Sequence, residues 1–152
     1  MRLSEHFTLA EATVSQTASR MGIDNTPDDA MVVELIKTAR FMEGVRATLG
    51  KPVTVTSWYR CPALERVVAN IAPDRPLSGH HPLGAAVDFI CPGYGTPFEV
   101  ATRLAEWTDN LGIGQLIYEF GGWVHISRMS VPNPINRVIT IDSRGCQVGI
   151  CA

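Results

Sequence analysis

The sequence has no long apolar run, no strong charge imbalance and no internal repeat. No stretch approaches the ~20 consecutive apolar residues of a membrane-spanning helix, so we expect no membrane insertion. The formal net charge is −2 and no dense cluster of Lys or Arg occurs, so we expect no nucleic-acid partner. The N-terminal residues lack the apolar core of a signal peptide. We therefore expect synthesis in the cytoplasm without a secretion signal.

Cysteine is scarce and irregularly placed. The four cysteines are Cys61, Cys91, Cys146 and Cys151, and their spacing matches neither a zinc ribbon nor a C-x-x-C redox motif. The main expectation is four reduced thiols. A disulfide between Cys146 and Cys151 is the alternative in an oxidising compartment.

What remains is the composition of an ordinary globular domain. The 152 residues are 45% hydrophobic and 18% charged, which predicts one domain. We expect a helical N-terminal arm over 1–25 and a core over 26–152, in a monomeric protein.

Local patterns predict helices first and strands afterwards. The Thr8 capping box begins a short helix, and a second covers 15–21. Thr26, followed by Pro27 at the first helical position, begins a long helix that ends at Gly50. The later predicted elements are a strand at 53–57, a helix at 62–72, a strand at 85–91, a helix from Thr96 to about 110, strands at 115–120 and 123–128, and a last hairpin from 137–141 and 147–150. This order predicts an α+β fold, an antiparallel sheet with helices packed on one face.

Three side chains have the chemistry of a catalytic zinc site. His81 lies in a turn before a buried strand, Asp88 lies in that strand, and His125 lies in a later alternating strand. A catalytic zinc takes three nitrogen or oxygen ligands and leaves one position open. A buried carboxylate needs a partner, and a metal ion accounts for Asp88 better than a salt bridge does. The alternatives are a loop histidine at 81, His80 as the ligand instead, and a satisfied strand histidine at 125.

The same residues carry a family resemblance. The segment from His81 to Asp88 resembles the H-x-x-G-x-A-x-D core of the M15-type zinc D-Ala-D-Ala peptidases, and 123–127 resembles their second motif. This family includes carboxypeptidases, dipeptidases and L-alanyl-D-glutamate endolysins, and hedgehog domains share its fold. The segments 3–9 and 57–60 resemble its short phage and bacterial members. The resemblance runs from near the N-terminus to about Ser127.

The resemblance implies the hedgehog/DD-peptidase fold and a function. It implies Zn2+ bound by His81, Asp88 and His125, and hydrolysis of a peptide bond in the peptidoglycan stem. Many relatives carry Ser at the place of Gly79 and the catalytic acid at the place of Gly122. Hedgehog domains have a Glu at an offset similar to that of residue 119, so Glu119 is expected as the base. The residues expected to contact substrate are Arg60, Tyr59, Ser78, His80 and Tyr118.

The resemblance to short members favours a phage or prophage enzyme. Such an enzyme acts at the cell wall or periplasm, either after release from the cytoplasm or as part of a phage particle. Carboxypeptidase and endopeptidase action both stay open, because cleft loops set that choice. The alternative functions are a non-catalytic, zinc-containing wall-binding module and a phage structural component.

Overall fold

The computed structural model describes residues 1–130 and 132–152, which form six helices and six strands. The elements are α1 (Leu9–Thr13), α2 (Gln16–Met21), α3 (Asp29–Leu49), β1 (Thr54–Ser57), α4 (Pro62–Val68), β2 (Ala86–Ile90), α5 (Pro97–Ala105), α6 (Thr108–Leu111), β3 (Ile113–Glu119), β4 (Trp123–Arg128), β5 (Val138–Asp142) and β6 (Gly145–Val148). The predicted α+β class is confirmed. Within the described ranges, no helix has the length and apolarity to cross a membrane.

The six strands form one mixed sheet. Their order is β1-β2-β4-β3-β5-β6, and every pairing is antiparallel except that of β3 with β5. The prediction of an antiparallel sheet was therefore wrong for the pairing of β3 with β5. The reason is that β2 and β3 already occupy both edges of β4. The chain leaving β4 must cross to the far side of β3, where it runs in the direction of β3.

The start of the long helix also differs from the prediction. The α3 cap is Asp28, whose side chain accepts a hydrogen bond from the Met31 amide at 2.8 Å. Thr26 and Pro27 therefore precede the helix, and the predicted start was two residues too early. The capping boxes at Thr8 and Thr96 form as the sequence predicts.

Three later boundaries shift for backbone reasons. Helix α4 ends at Val68 rather than at 72, and Asn70 just beyond it adopts a left-handed conformation with φ of 53°. The predicted helix from Thr96 divides into α5 and α6. The last hairpin is tighter than predicted: β6 covers Gly145–Val148 rather than 147–150, and Gly149 with φ of 83° follows its end.

The hydrophobic core lies on one face of the sheet. Helices α3 and α5 bury Leu35, Met42 and Leu104 in the same cluster as Val124 and Ile126 of β4. Because side chains alternate along a strand, the neighbours of these core residues point to the opposite face. That opposite face is the floor of a cleft. The prediction placed all helices on one face of the sheet. Helix α4 departs from it, because residues of α4 form a wall of the cleft on the opposite face.

Candidate active site and metal centre

The sheet brings the three predicted metal ligands together. Asp88 of β2 pairs directly with His125 of β4, and His81 lies in the turn that precedes β2. Asp88 Oδ1 is 2.8 Å from His125 Nδ1, and Asp88 Oδ2 is 3.3 Å from His81 Nε2. One ligand atom from each residue lies within 4.8 Å of the others. All three side chains are buried, as a shared site on the cleft floor requires.

The ring of His81 is oriented by the main chain. His81 Nδ1 lies 2.6 Å from the Trp58 carbonyl oxygen. A carbonyl can only accept, so Nδ1 carries the proton and donates. His81 Nε2 then keeps its lone pair for a metal ion, as in zinc sites where the histidine donates its other ring N–H to a carbonyl.

The turn that carries His81 requires glycine at position 84. Gly84 has φ of 66°, and a Cβ there would lie 2.8 Å from Met31 Sδ in α3. The Gly84 carbonyl accepts hydrogen bonds from Thr38 Oγ1 at 2.8 Å and from Trp58 Nε1 at 3.2 Å. Helix α3 and Trp58 thus fix the position of the turn.

The donor set fits zinc. Two imidazole nitrogens and one carboxylate oxygen are the ligand types of a catalytic zinc. Burial raises the pKa of Asp88, but its contacts with His125 and His81 outweigh burial, so the pKa lies well below its usual range. The carboxylate is therefore ionised, as a metal ligand must be.

A buried ion-pair network supports Asp88 from behind. The Arg60 guanidinium donates to Asp88 Oδ2 at 3.1 Å and to Glu65 Oε2 at 3.2 Å, and its Nε donates to Ser57 Oγ at 3.1 Å. Glu65 is 5% exposed. The sequence analysis missed Glu65, because an acid in the first turn of α4 has the pattern of a solvated residue that favours the helix dipole.

Glu65 also limits the space beside Gly79. A Cβ at Gly79 would lie 3.2 Å from Glu65 Oε1. A side chain at position 79 would therefore press on the Glu65 carboxylate.

The cleft above the three ligands has a volume of about 480 Å3. Glu119, at the end of β3, lines it together with Ser78, His80, Arg60 and Glu65. Burial raises the pKa of Glu119, against the charge of His125, which lowers it. Burial also lowers the pKa of His80. Gly122, at the place where many relatives carry the catalytic acid, lies in the exposed turn between β3 and β4.

Two predicted substrate residues do not line this cleft. Tyr118 packs edge-on against Phe98, with ring centroids 5.7 Å apart. It points away from the cleft because its strand neighbours Ile117 and Glu119 face the cleft. Tyr59 is buried in the hydrophobic core. The alternation of side chains along β3 could be read from the sequence, and it places Tyr118 and Glu119 on opposite faces of the sheet.

An α+β fold with two histidines and one aspartate on the floor of an open cleft has the design of a zinc hydrolase. A family model described as peptidase M15 matches residues 5–127. The chain therefore belongs to the peptidase M15 family, whose members are zinc peptidases, and the predicted family is confirmed. A search of curated proteins finds no match.

Proposed function

We propose that the protein is a zinc peptidase that hydrolyses peptide bonds of the peptidoglycan stem. The observation that supports this most directly is the meeting of the His81, Asp88 and His125 donor group with Glu119 in one cleft. Zinc bound to such a group polarises a carbonyl and lowers the pKa of water to about 7.

The chain supplies the proton chemistry through Glu119. A general base works best when its pKa approaches the operating pH, and burial moves the pKa of Glu119 in that direction. Glu119 takes a proton from the attacking water and returns it to the leaving amine. The Trp58 carbonyl orients the His81 ring by accepting a hydrogen bond from Nδ1, so Nε2 faces Asp88.

The remaining cleft residues position the substrate. Three N–H groups of Arg60 donate hydrogen bonds to Ser57, Glu65 and Asp88. Two of its five donors are left for a peptide carbonyl. Ser78 and His80 line the same cleft and supply further polar groups.

The biological setting is part of this proposal. The likeness of segments 3–9 and 57–60 to short phage and bacterial members supports a lysis or virion-associated enzyme of a phage or prophage. Such a protein meets the peptidoglycan stem as a monomer or as part of a particle.

The test measures zinc content and fragment release from purified peptidoglycan. The wild type should hold about one zinc and release peptide fragments detected by mass spectrometry. Glu119→Gln should keep the zinc and lose about 10²- to 10⁴-fold in rate. The control Glu106→Gln, at an exposed side chain, should match the wild type. His81→Ala should lose both zinc and activity.

Two results would contradict the proposal. Release that survives both chelation and His81→Ala excludes zinc-dependent hydrolysis. Zinc-loaded wild type that binds peptidoglycan without releasing any fragment identifies a wall-binding module instead.

A further inference from the structure

A second cavity lies next to the cleft on its β1 side. This cavity of about 550 Å3 shares Arg60 and Val68 with the cleft. Apart from Arg60 its lining is uncharged, and Val14 and Val68 add exposed apolar side chains. The other lining residues are Ser15, Gln16, Thr17, Thr56 and Ser57.

A third cavity adjoins the cleft on its β3 side. It also measures about 550 Å3 and shares Ser78, His80 and Gln115 with the cleft. Its remaining lining residues are Gly114, Ser130, Asn133, Pro134 and Ile135, and the Ile135 side chain is exposed to solvent. Both extensions therefore combine hydrogen-bonding groups with an exposed apolar side chain.

The sheet order places these extensions on opposite sides of the metal ligands. In the order β1-β2-β4-β3, Asp88 and His125 lie on the two central strands. One extension lies over Ser57 of β1 and the other over Gln115 of β3. The three cavities together, named the groove here, cross the strands with the ligands near the middle.

The positive charge of Arg60 in the groove is already paired with two protein carboxylates, so its two remaining N–H groups suit a neutral carbonyl. Among the described residues that line the groove, Arg60 is the one Lys or Arg, and the two carboxylates are those of Asp88 and Glu65. Recognition of a terminal carboxylate beside the cut bond calls for a charged donor, usually a bidentate arginine. A third carboxylate, Glu119, lines the central cleft and disfavours an added anion.

From the open ends and the paired arginine we infer that the enzyme is an endopeptidase: its groove binds an extended peptide on both sides of the cut bond and does not require a free C-terminal carboxylate there. This inference rests on the proposed peptidase function and selects one of its two types. Substrate residues on both sides then contribute binding energy to the transition state.

The experiment compares three synthetic stem peptides of the same sequence. One has a free C-terminal carboxylate, one is amidated there, and one is extended by further residues. Amidation should change kcat/KM by less than about twofold, and extension should raise it. Cleavage of the free acid alone, with release of its last residue, would overturn the endopeptidase inference while leaving the peptidase function intact. Failure to cut any of the three by the zinc-loaded protein would instead refute the proposed function.

Variants at the two ends of the groove test whether both sides are used. Val14→Ser and Ile135→Ser should each lower kcat/KM for the extended peptide at least about threefold, because each removes apolar area that the peptide covers. The matched controls Val33→Ser on α3 and Val148→Ser on β6 change exposed side chains outside the groove and should have no effect. Equal activity of all four variants on the extended peptide would refute the claim that the peptide binds on both sides of the cut bond.

Discussion

The Glu65 carboxylate offers the sharpest test of how the metal centre is supported. Glu65 pairs with Arg60 at 3.2 Å, and Arg60 in turn pairs with the proposed metal ligand Asp88 at 3.1 Å. Both partners of the first pair are largely removed from solvent, with side-chain exposures of 6% for Glu65 and 15% for Arg60. Glu65→Ala therefore leaves a buried guanidinium with one of its two carboxylates missing.

The expected loss of stability follows from that geometry. Removing one partner of a buried ion pair costs about 3–5 kcal/mol. Arg60 keeps its bonds to Asp88 and Ser57, so the loss should be near the lower end, about 3 kcal/mol. For a domain of this size that is a fall in melting temperature of about 6–12 °C. Glu65→Gln keeps an oxygen acceptor and should fall between Glu65→Ala and the wild type.

Urea unfolding of the metal-free protein measures this loss directly. The matched control is Glu106→Ala, because Glu106 also pairs with an arginine, Arg103, but its side chain is 64% exposed. That surface pair should contribute less than about 1 kcal/mol. Equal unfolding free energies for the Glu65 and Glu106 variants would refute the supporting role of the buried network.

Three further outcomes are expected. Gly79→Ala should lower the melting temperature by an amount that corresponds to about 1–3 kcal/mol, since its new Cβ presses on Glu65; an unchanged melting curve would contradict this. Burial raises the pKa of Glu43, but hydrogen bonds from Ser4 and His6 outweigh burial and lower the pKa. The stability that Glu43 adds is therefore present above about pH 4.5 and is lost as the pH falls. Glu43→Gln should flatten the acid limb of a pH–stability curve. The raised pKa of Glu119 means that its charged form opposes folding, so Glu119→Gln should stabilise the metal-free protein at neutral pH and lose that advantage in acid, as calorimetry can show.

The sequence was most informative where a local pattern has one physical solution. Capping boxes, a long apolar stripe and alternating strands predicted most elements, because each depends on neighbours within a few residues. His81, Asp88 and His125 were predicted as one group because their chemistry needs a common partner. The structure then brings these three together from a turn and two adjacent strands.

What the sequence did not predict depends on contacts between distant elements. The parallel pairing of β3 with β5 follows from which strand edges are free, which no local pattern records. The burial of Glu65 depends on where α4 packs relative to β2, and an isolated Glu in a helix gives no sign of it. The start of α3 was missed for a smaller reason: Thr26 and Asp28 are both good caps, and the side-chain hydrogen bond forms at Asp28.

The N-terminal arm is physically part of the metal centre. The Trp58 ring packs edge-on against Phe7 of the arm, with centroids 6.1 Å apart, while the Trp58 carbonyl orients His81. The Tyr59 amide donates to the Ala12 carbonyl at 2.9 Å. One short segment after β1 therefore joins the arm on one side to the metal turn on the other. Because interiors are close-packed and Trp58 contacts both Phe7 and His81, we expect a change in the packing of Phe7 to alter the orientation of the His81 ring.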